Sequence, residues 1–239
     1  MANNMRYFIG NWKMFGIPKS VSILDKVNKF VKSDKKFNNK YKVIVTPPHT
    51  LVQSYAKFFL KKKILIGAQN CYHKDNFGAN TGAISPFMAK SVGAQYIIVG
   101  HSDNRSEGDT DAMLKSKVEN SLNNKLRVVF CIGENKEHKA NNKTFEVLEN
   151  QIRKVLDVKL NFKDIIVAYE PIWSIGTGQI PEPDDLLKTT IFIKKVLKNI
   201  FKKQKSSIVL YGGSVDGRNI SQFKKLNDID GFLIGGASK

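Results

Sequence analysis

The stretch Ile165-Ile166-Val167-Ala168-Tyr169-Glu170-Pro171-Ile172-Trp173-Ser174-Ile175-Gly176-Thr177-Gly178 joins an apolar run to a carboxylate and then to a flexible tip. Its β-branched start reads as a buried strand. That strand delivers Glu170 at its end. Pro171 stiffens the exit, a short apolar segment follows, and Gly176-Thr177-Gly178 loosens the far side. Proton chemistry that must exclude water needs such a pair: a fixed carboxylate base and a segment able to close over it.

Similar short apolar runs recur on both sides, at residues 7–10, 43–46, 64–68, 96–100, 128–132, 208–211 and 231–234. With 165–170 they make eight strand candidates. Between them lie amphipathic stretches, among them 21–31, 112–122, 145–155 and 186–201. This alternation argues for an α/β protein with a (β/α)8 barrel. Periodicity alone equally permits an open, doubly wound parallel sheet. In either architecture the loops after the strands carry the chemistry. The unusual residues fall there: Asn11 and Lys13, Gln69 and Asn70, His101, Glu134, Glu170, Gly212-Gly213-Ser214 and Gly235-Gly236.

The chain has 239 residues, 41% of them hydrophobic and 25% charged, which suits a globular domain with a sizeable core. No linker or composition shift divides it, so residues 1–239 read as one domain. No apolar run is long enough for a membrane span, and no secretory signal is visible. Cys71 and Cys131 are too few for a disulfide framework and read as buried thiols in a reducing, cytoplasmic setting. The net charge of +18 invites a nucleic-acid partner. The basic residues do not form a footprint, however. They are scattered over Lys61-Lys62-Lys63, Lys194-Lys195, Lys202-Lys203, Lys205 and Lys224-Lys225, with no interleaved aromatic residues for base stacking. Attraction of an anionic substrate is the effect expected of the charge. There is no Walker-A or GxGxxG pattern, and His49, His73, His101 and His138 have no metal-ligand spacing, so no cofactor and no metal are expected.

Asn11 and Lys13 lie on the same side of an extended chain, where they could hold a carbonyl and a phosphate dianion. The glycine pairs after the seventh and eighth strands let backbone N–H groups approach phosphate oxygens. Asn11-Trp12-Lys13-Met14, Gly100-His101-Ser102, the Glu170 stretch and Gly212-Gly213-Ser214 with Gly235-Gly236, at matching strand ends and in matching order, resemble the triosephosphate isomerase family over nearly the whole chain.

The resemblance implies a TIM barrel and an aldose–ketose isomerase acting on a three-carbon sugar phosphate in glycolysis and gluconeogenesis. Glu170 would be the base, a neutral His101 would polarise the carbonyl, and Asn11 and Lys13 would complete the catalytic set. Gly176, Gly213, Ser214, Gly235 and Gly236 would bind substrate. Asp103 would hold Lys13, Tyr211 the lid, and Ile175 with Leu233 would clamp the base. A homodimer is also implied, with Thr81 of Phe77-Gly78-Ala79-Asn80-Thr81-Gly82 reaching the neighbouring subunit's Asn11 and Lys13.

Departures from the family pattern are visible. Asp103-Asn104 stands where Glu-Arg is usual, and Asp103 should hold Lys13 less well. The segment 106–111 is about a residue short. Gln179 replaces a lysine at the lid's far hinge, and the last outer helix is expected to be missing. Slower turnover of the same reaction is the expectation. The alternatives are another barrel enzyme of sugar phosphates and a basic, non-catalytic binding module.

Overall fold

A computed structural model describes residues 5–34, 40–202, 207–223 and 226–239. Lys203, Lys205, Lys224 and Lys225, counted above among the scattered basic residues, lie outside them. The strands are β1 (Arg6–Asn11), β2 (Tyr41–Thr46), β3 (Ile64–Ala68), β4 (Tyr96–Val99), β5 (Arg127–Ile132), β6 (Ile165–Tyr169), β7 (Ile208–Tyr211) and β8 (Gly231–Ile234). Each pairs in parallel with its sequence neighbours, and β8 returns to β1 with Ile9 opposite Leu233. The sheet therefore closes, which excludes the open doubly wound arrangement.

Closure gives the strands two apolar faces. Tyr7, Ile9, Ile44, Tyr96, Ile98, Val129, Cys131, Ile166, Ala168, Leu210 and Leu233 fill the barrel interior. The alternate residues, such as Val45, Ile97, Val99, Phe130 and Val167, pack outward against helices. A strand buried on both faces has no polar positions to show, which is why the runs read as continuous. The two-residue period also carries function. Continuing the inward set leads from Ile9 to Asn11 at the last position of β1 and, just past the other strand ends, from Ala168 to Glu170, from Leu210 to Gly212 and from Leu233 to Gly235.

The outer layer holds α1 (Val21–Ser33), α2 (His49–Phe58), α3 (Pro86–Ser91), α4 (Ser102–Ser106), α5 (Asp111–Asn123), α6 (Lys136–Ala140), α7 (Thr144–Val155) and α8 (Pro183–Phe201). In α8, Pro183 opens the helix, Asp184 and Asp185 face its positive end, and Leu186, Thr190, Ile193 and Leu197 form the buried stripe. Helices α4 and α6 span less than two turns and leave no periodic trace in sequence. Among the described residues β8 is followed only by a single 3-10 turn, Gly236–Ser238. No described helix is long and apolar enough to cross a membrane.

Candidate active site

The C-terminal ends of the strands surround a cavity of about 840 Å³. Asn11, Lys13, His101, Glu170, Ile175, Gly176, Gly213, Ser214, Leu233, Gly235 and Gly236 all line it. Segments far apart in sequence thus converge on one volume. Asp103 and Tyr211 touch the site through other residues. Thr81 is exposed and lies outside the cavity of its own chain.

Glu170 is 3% exposed and is held at the rim by its backbone N–H, which donates to Ile132 O at 2.7 Å. Burial raises its carboxyl above the ordinary value, opposed by His101, the Cys131 thiol, Lys13 and the Ser102 N–H. A carboxylate that is costly to keep ionised is a stronger base. Its Oε1 lies 3.3 Å from His101 Nε2. Behind it, Gly212 leaves no room for a side chain, because an added Cβ would stand 2.8 Å from Glu170 Cγ.

His101 follows β4 and caps α4. The Asp103 N–H donates to His101 Nδ1 at 3.1 Å. A ring nitrogen that accepts carries no proton, so the neutral tautomer presents its N–H at Nε2, toward the cavity. Arg105, half-buried on the same short helix, donates to Gly100 O at 2.8 Å and to Cys131 O at 3.0 Å. It thereby ties the end of β4 to that of β5. This bracing role was not legible in sequence, where an arginine in a polar run reads as surface.

Lys13 has φ of 52°, a left-handed conformation uncommon outside glycine and asparagine. Its N–H donates to Asn11 Oδ1 at 3.0 Å, and its carbonyl accepts from Gln69 Nε2 at 2.8 Å. Gln69 also donates to Thr46 O at 2.9 Å, so the ends of three strands fix this one peptide. The ammonium lies 3.1 Å from Asp103 Oδ2. The shorter Asp103 side chain does reach Lys13. The start of α4 places it close enough. The position that a Cβ on Gly235 would take is 3.9 Å from Lys13 Cε, so the lysine runs along the glycine cradle.

The lid begins in a buried latch. Glu134 is wholly buried, and its Oε1 accepts from Trp173 Nε1 at 2.8 Å and from Tyr169 OH at 3.1 Å. Its backbone carbonyl accepts from the Ile172 N–H at 3.0 Å. Sequence reading put Glu134 near the site without this partnership. Tyr211 OH lies 3.2 Å from Ser174 Oγ, and Leu233 and the half-buried Ile175 line the same cavity as Glu170. A second buried pair supports the mouth. Lys117 Nζ lies 2.7 Å from both Asp109 oxygens and 2.9 Å from Asn70 Oδ1. The clue in sequence was a lysine on the buried stripe of α5, between Leu114 and Ser121.

A (β/α)8 barrel with a buried carboxylate facing a neutral imidazole, an ammonium and an amide, beside glycine-rich backbone, is an enzyme of proton transfer on small phosphorylated carbonyl compounds. The family model for triosephosphate isomerase matches residues 6–239. The chain belongs to the triosephosphate isomerase family. It is 34% identical to the triosephosphate isomerase of Thermodesulfovibrio yellowstonii over 237 residues, covering 98% of this chain and 94% of the relative. It is 37% identical to that of Thermoanaerobacter pseudethanolicus over 235 residues, covering 96% and 92%. The crystal structure of the Bartonella henselae triosephosphate isomerase superposes with a TM-score of 0.88 at 31% identity, covering 98% of this chain and 93% of the other. The binding-module and other-barrel alternatives are not favoured.

Proposed function

We propose that this chain interconverts dihydroxyacetone phosphate and D-glyceraldehyde 3-phosphate, with Glu170 as the single base. The observation that carries this reading is the buried Glu170 carboxylate, 3.3 Å from His101 Nε2 in one cavity with Lys13 and Asn11. Glu170 takes a proton from the carbon beside the carbonyl, and the electron pair moves onto the carbonyl oxygen. The His101 Nε2–H, Asn11 and the Lys13 ammonium stabilise that oxyanion. The hydroxyl proton on the neighbouring carbon's oxygen passes to the former carbonyl oxygen by way of His101 Nε2, and the Glu170 carboxyl returns its own proton to that neighbouring carbon, whose oxygen becomes the new carbonyl. Backbone N–H groups around Gly176, Gly213, Ser214, Gly235 and Gly236 hold the phosphate. Closure of the lid over it keeps water from the enediolate.

Residues 1–239 act as one catalytic domain in this reading, since β1 and β8 must pair to close the barrel. The free, buried Cys71 and Cys131 suit a cytoplasmic enzyme. The active form is a homodimer. Met14 is 94% exposed and Phe77 79% exposed, with Phe15 and Ile17 also open beside the mouth. A hollow of about 500 Å³ between Tyr72 and Met88 offers a second copy somewhere to insert apolar side chains. Thr81, exposed on this loop, would then meet the partner's Asn11 and Lys13.

The test is a coupled assay of glyceraldehyde 3-phosphate isomerisation beside a Glu170→Gln control, with sedimentation of the active sample. Activity that vanishes in the control supports the reaction and its base, and an inactive folded wild type overturns both. A fully active monomer overturns the dimer.

A further inference from the structure

The cavity is larger than a triose phosphate needs. Its volume of about 840 Å³ falls in the range that takes a drug-sized ligand. Its lining carries three cations, Lys13, Arg218 and Lys239, and two carboxylates, Glu170 and Asp216. The isomerase reading uses Lys13 and Glu170. It leaves Arg218, Lys239 and Asp216 without a part.

Arg218 stands on the turn that leads away from Ser214 and the phosphate cradle. The turn is tied by its own side chains. The Asp216 N–H donates to Asn219 Oδ1 at 2.9 Å, and the Arg218 N–H donates to Asp216 Oδ1 at 2.8 Å. Asn219 Nδ2 donates to Ser214 O at 3.0 Å, which joins the turn to the cradle. The Arg218 side chain is 92% exposed, and its Nε and Nη2 donate to Asp216 Oδ2 at 3.0 and 2.5 Å. Those bonds steady the planar fork and leave its other N–H groups for an anion. Lys239 comes from the loop after β8, its Nζ 3.5 Å from the centre of the Phe15 ring. Two cations against the one carboxylate of Asp216 leave this outer wall positive. That balance suits a dianion.

We propose that Arg218 and Lys239 form an outer anion subsite of this cavity, which takes the second phosphate of a small bis-phosphorylated compound whose first phosphate sits in the glycine cradle. A triose phosphate has one phosphate and leaves the subsite empty. The subsite therefore sets which anions block the enzyme, without entering the reaction. This goes beyond the isomerase reading and rests on it for the place of the first phosphate.

The experiment titrates inorganic phosphate and propane-1,3-diyl bisphosphate into the protein by calorimetry, and tests both as inhibitors of glyceraldehyde 3-phosphate isomerisation. The wild type is expected to bind the bisphosphate about tenfold more tightly than phosphate, the size of one charge-assisted hydrogen bond. Inhibition should be competitive. In the double variant Arg218→Gln, Lys239→Gln the ratio should fall to about twofold, what general charge attraction leaves. Its kcat and KM for the triose phosphate should stay close to wild type. Both side chains are exposed, so the substitutions leave the core intact. Asp216→Asn keeps the Oδ1 acceptor of the turn and removes the charge that competes for Arg218, so it should widen the ratio.

A ratio near one in the wild type, a ratio that survives the double substitution, or one that Asp216→Asn fails to widen would each overturn the proposal. So would inhibition that is not competitive. Calorimetry needs no turnover, so an inactive wild type would sink the isomerase reading while the binding ratio still judges the subsite.

Discussion

His101 Nε2 stands 3.3 Å from Glu170 Oε1, so an imidazole and a buried carboxylate face each other across about one hydrogen bond's length. The two are brought there by β4 and β6, which are not adjacent in the barrel. In the proposed reaction these two groups are base and electrophile, and the geometry defines the first prediction.

Glu170→Gln should lower kcat by about 10³-fold, the scale of a lost general base. It should at the same time raise the melting temperature at neutral pH. Burial raises the folded-state value of this carboxyl above 4.5. A carboxyl shifted upward favours the folded state below its unfolded value, and this contribution is lost as pH rises through the folded value. Above that, the ionised group is a net cost, and the amide removes it. The acid limb of kcat/KM in the wild type should likewise lie above 4.5, following Glu170. A thermal scan and a pH–rate profile check both parts.

Asp103 holds the Lys13 ammonium from half-exposed ground at 3.1 Å. Its worth is orientation more than stability, since an ion pair open to water contributes little to folding. Asp103→Ala should cut kcat/KM by about tenfold through a misplaced ammonium, with a melting temperature close to wild type. Asp103→Glu should change kcat little, because aspartate already makes the contact. A several-fold gain in kcat would instead bear out the expectation from sequence that the short side chain limits turnover.

Gly212 stands where any side chain would press on the base. In Gly212→Ala the new methyl would lie 2.8 Å from Glu170 Cγ, and one of the two must move. Displacement of a reacting atom by a fraction of an ångström to an ångström costs up to about 10²-fold in rate. Steady-state kinetics should show the loss mainly in kcat.

Glu134 accepts from two buried donors on the lid's near side. Glu134→Leu would leave Tyr169 OH and Trp173 Nε1 unpaired, destabilising the fold by about 2–4 kcal/mol. Urea unfolding measures this. Because Trp173 reports on the latch, its fluorescence should also shift in the folded variant.

The fold was legible because each strand is buried twice. Runs such as 64–68 and 208–211 match β3 and β7 residue for residue, since both faces of those strands demand apolar side chains. Periodicity alone did not decide between barrel and open sheet, for that depends on β8 meeting β1 across more than two hundred residues; the motifs at the strand ends decided for the barrel. The site was readable at Asn11, Lys13, His101 and Glu170 because polar residues at the ends of apolar strands are conspicuous. Ser174, Arg105 and Lys117 were hidden. Each looks like an ordinary polar residue, and only the folded chain shows that its partners come from distant loops. α4 also escaped notice, because its cap is the ring of His101, a residue read for its chemistry alone.

Lys13 carries a tension of a different kind. Its backbone sits at φ of 52°, where a glycine is at ease, while its side chain brings one of the cavity's positive charges against Asp103. A search that rewarded thermal stability alone would drift toward glycine or asparagine here, and one that rewarded turnover would return to lysine. On the proposed mechanism the position is a point where robustness and catalysis compete over a single codon. Hardening this enzyme against heat by unguided selection will tend to erode it there first.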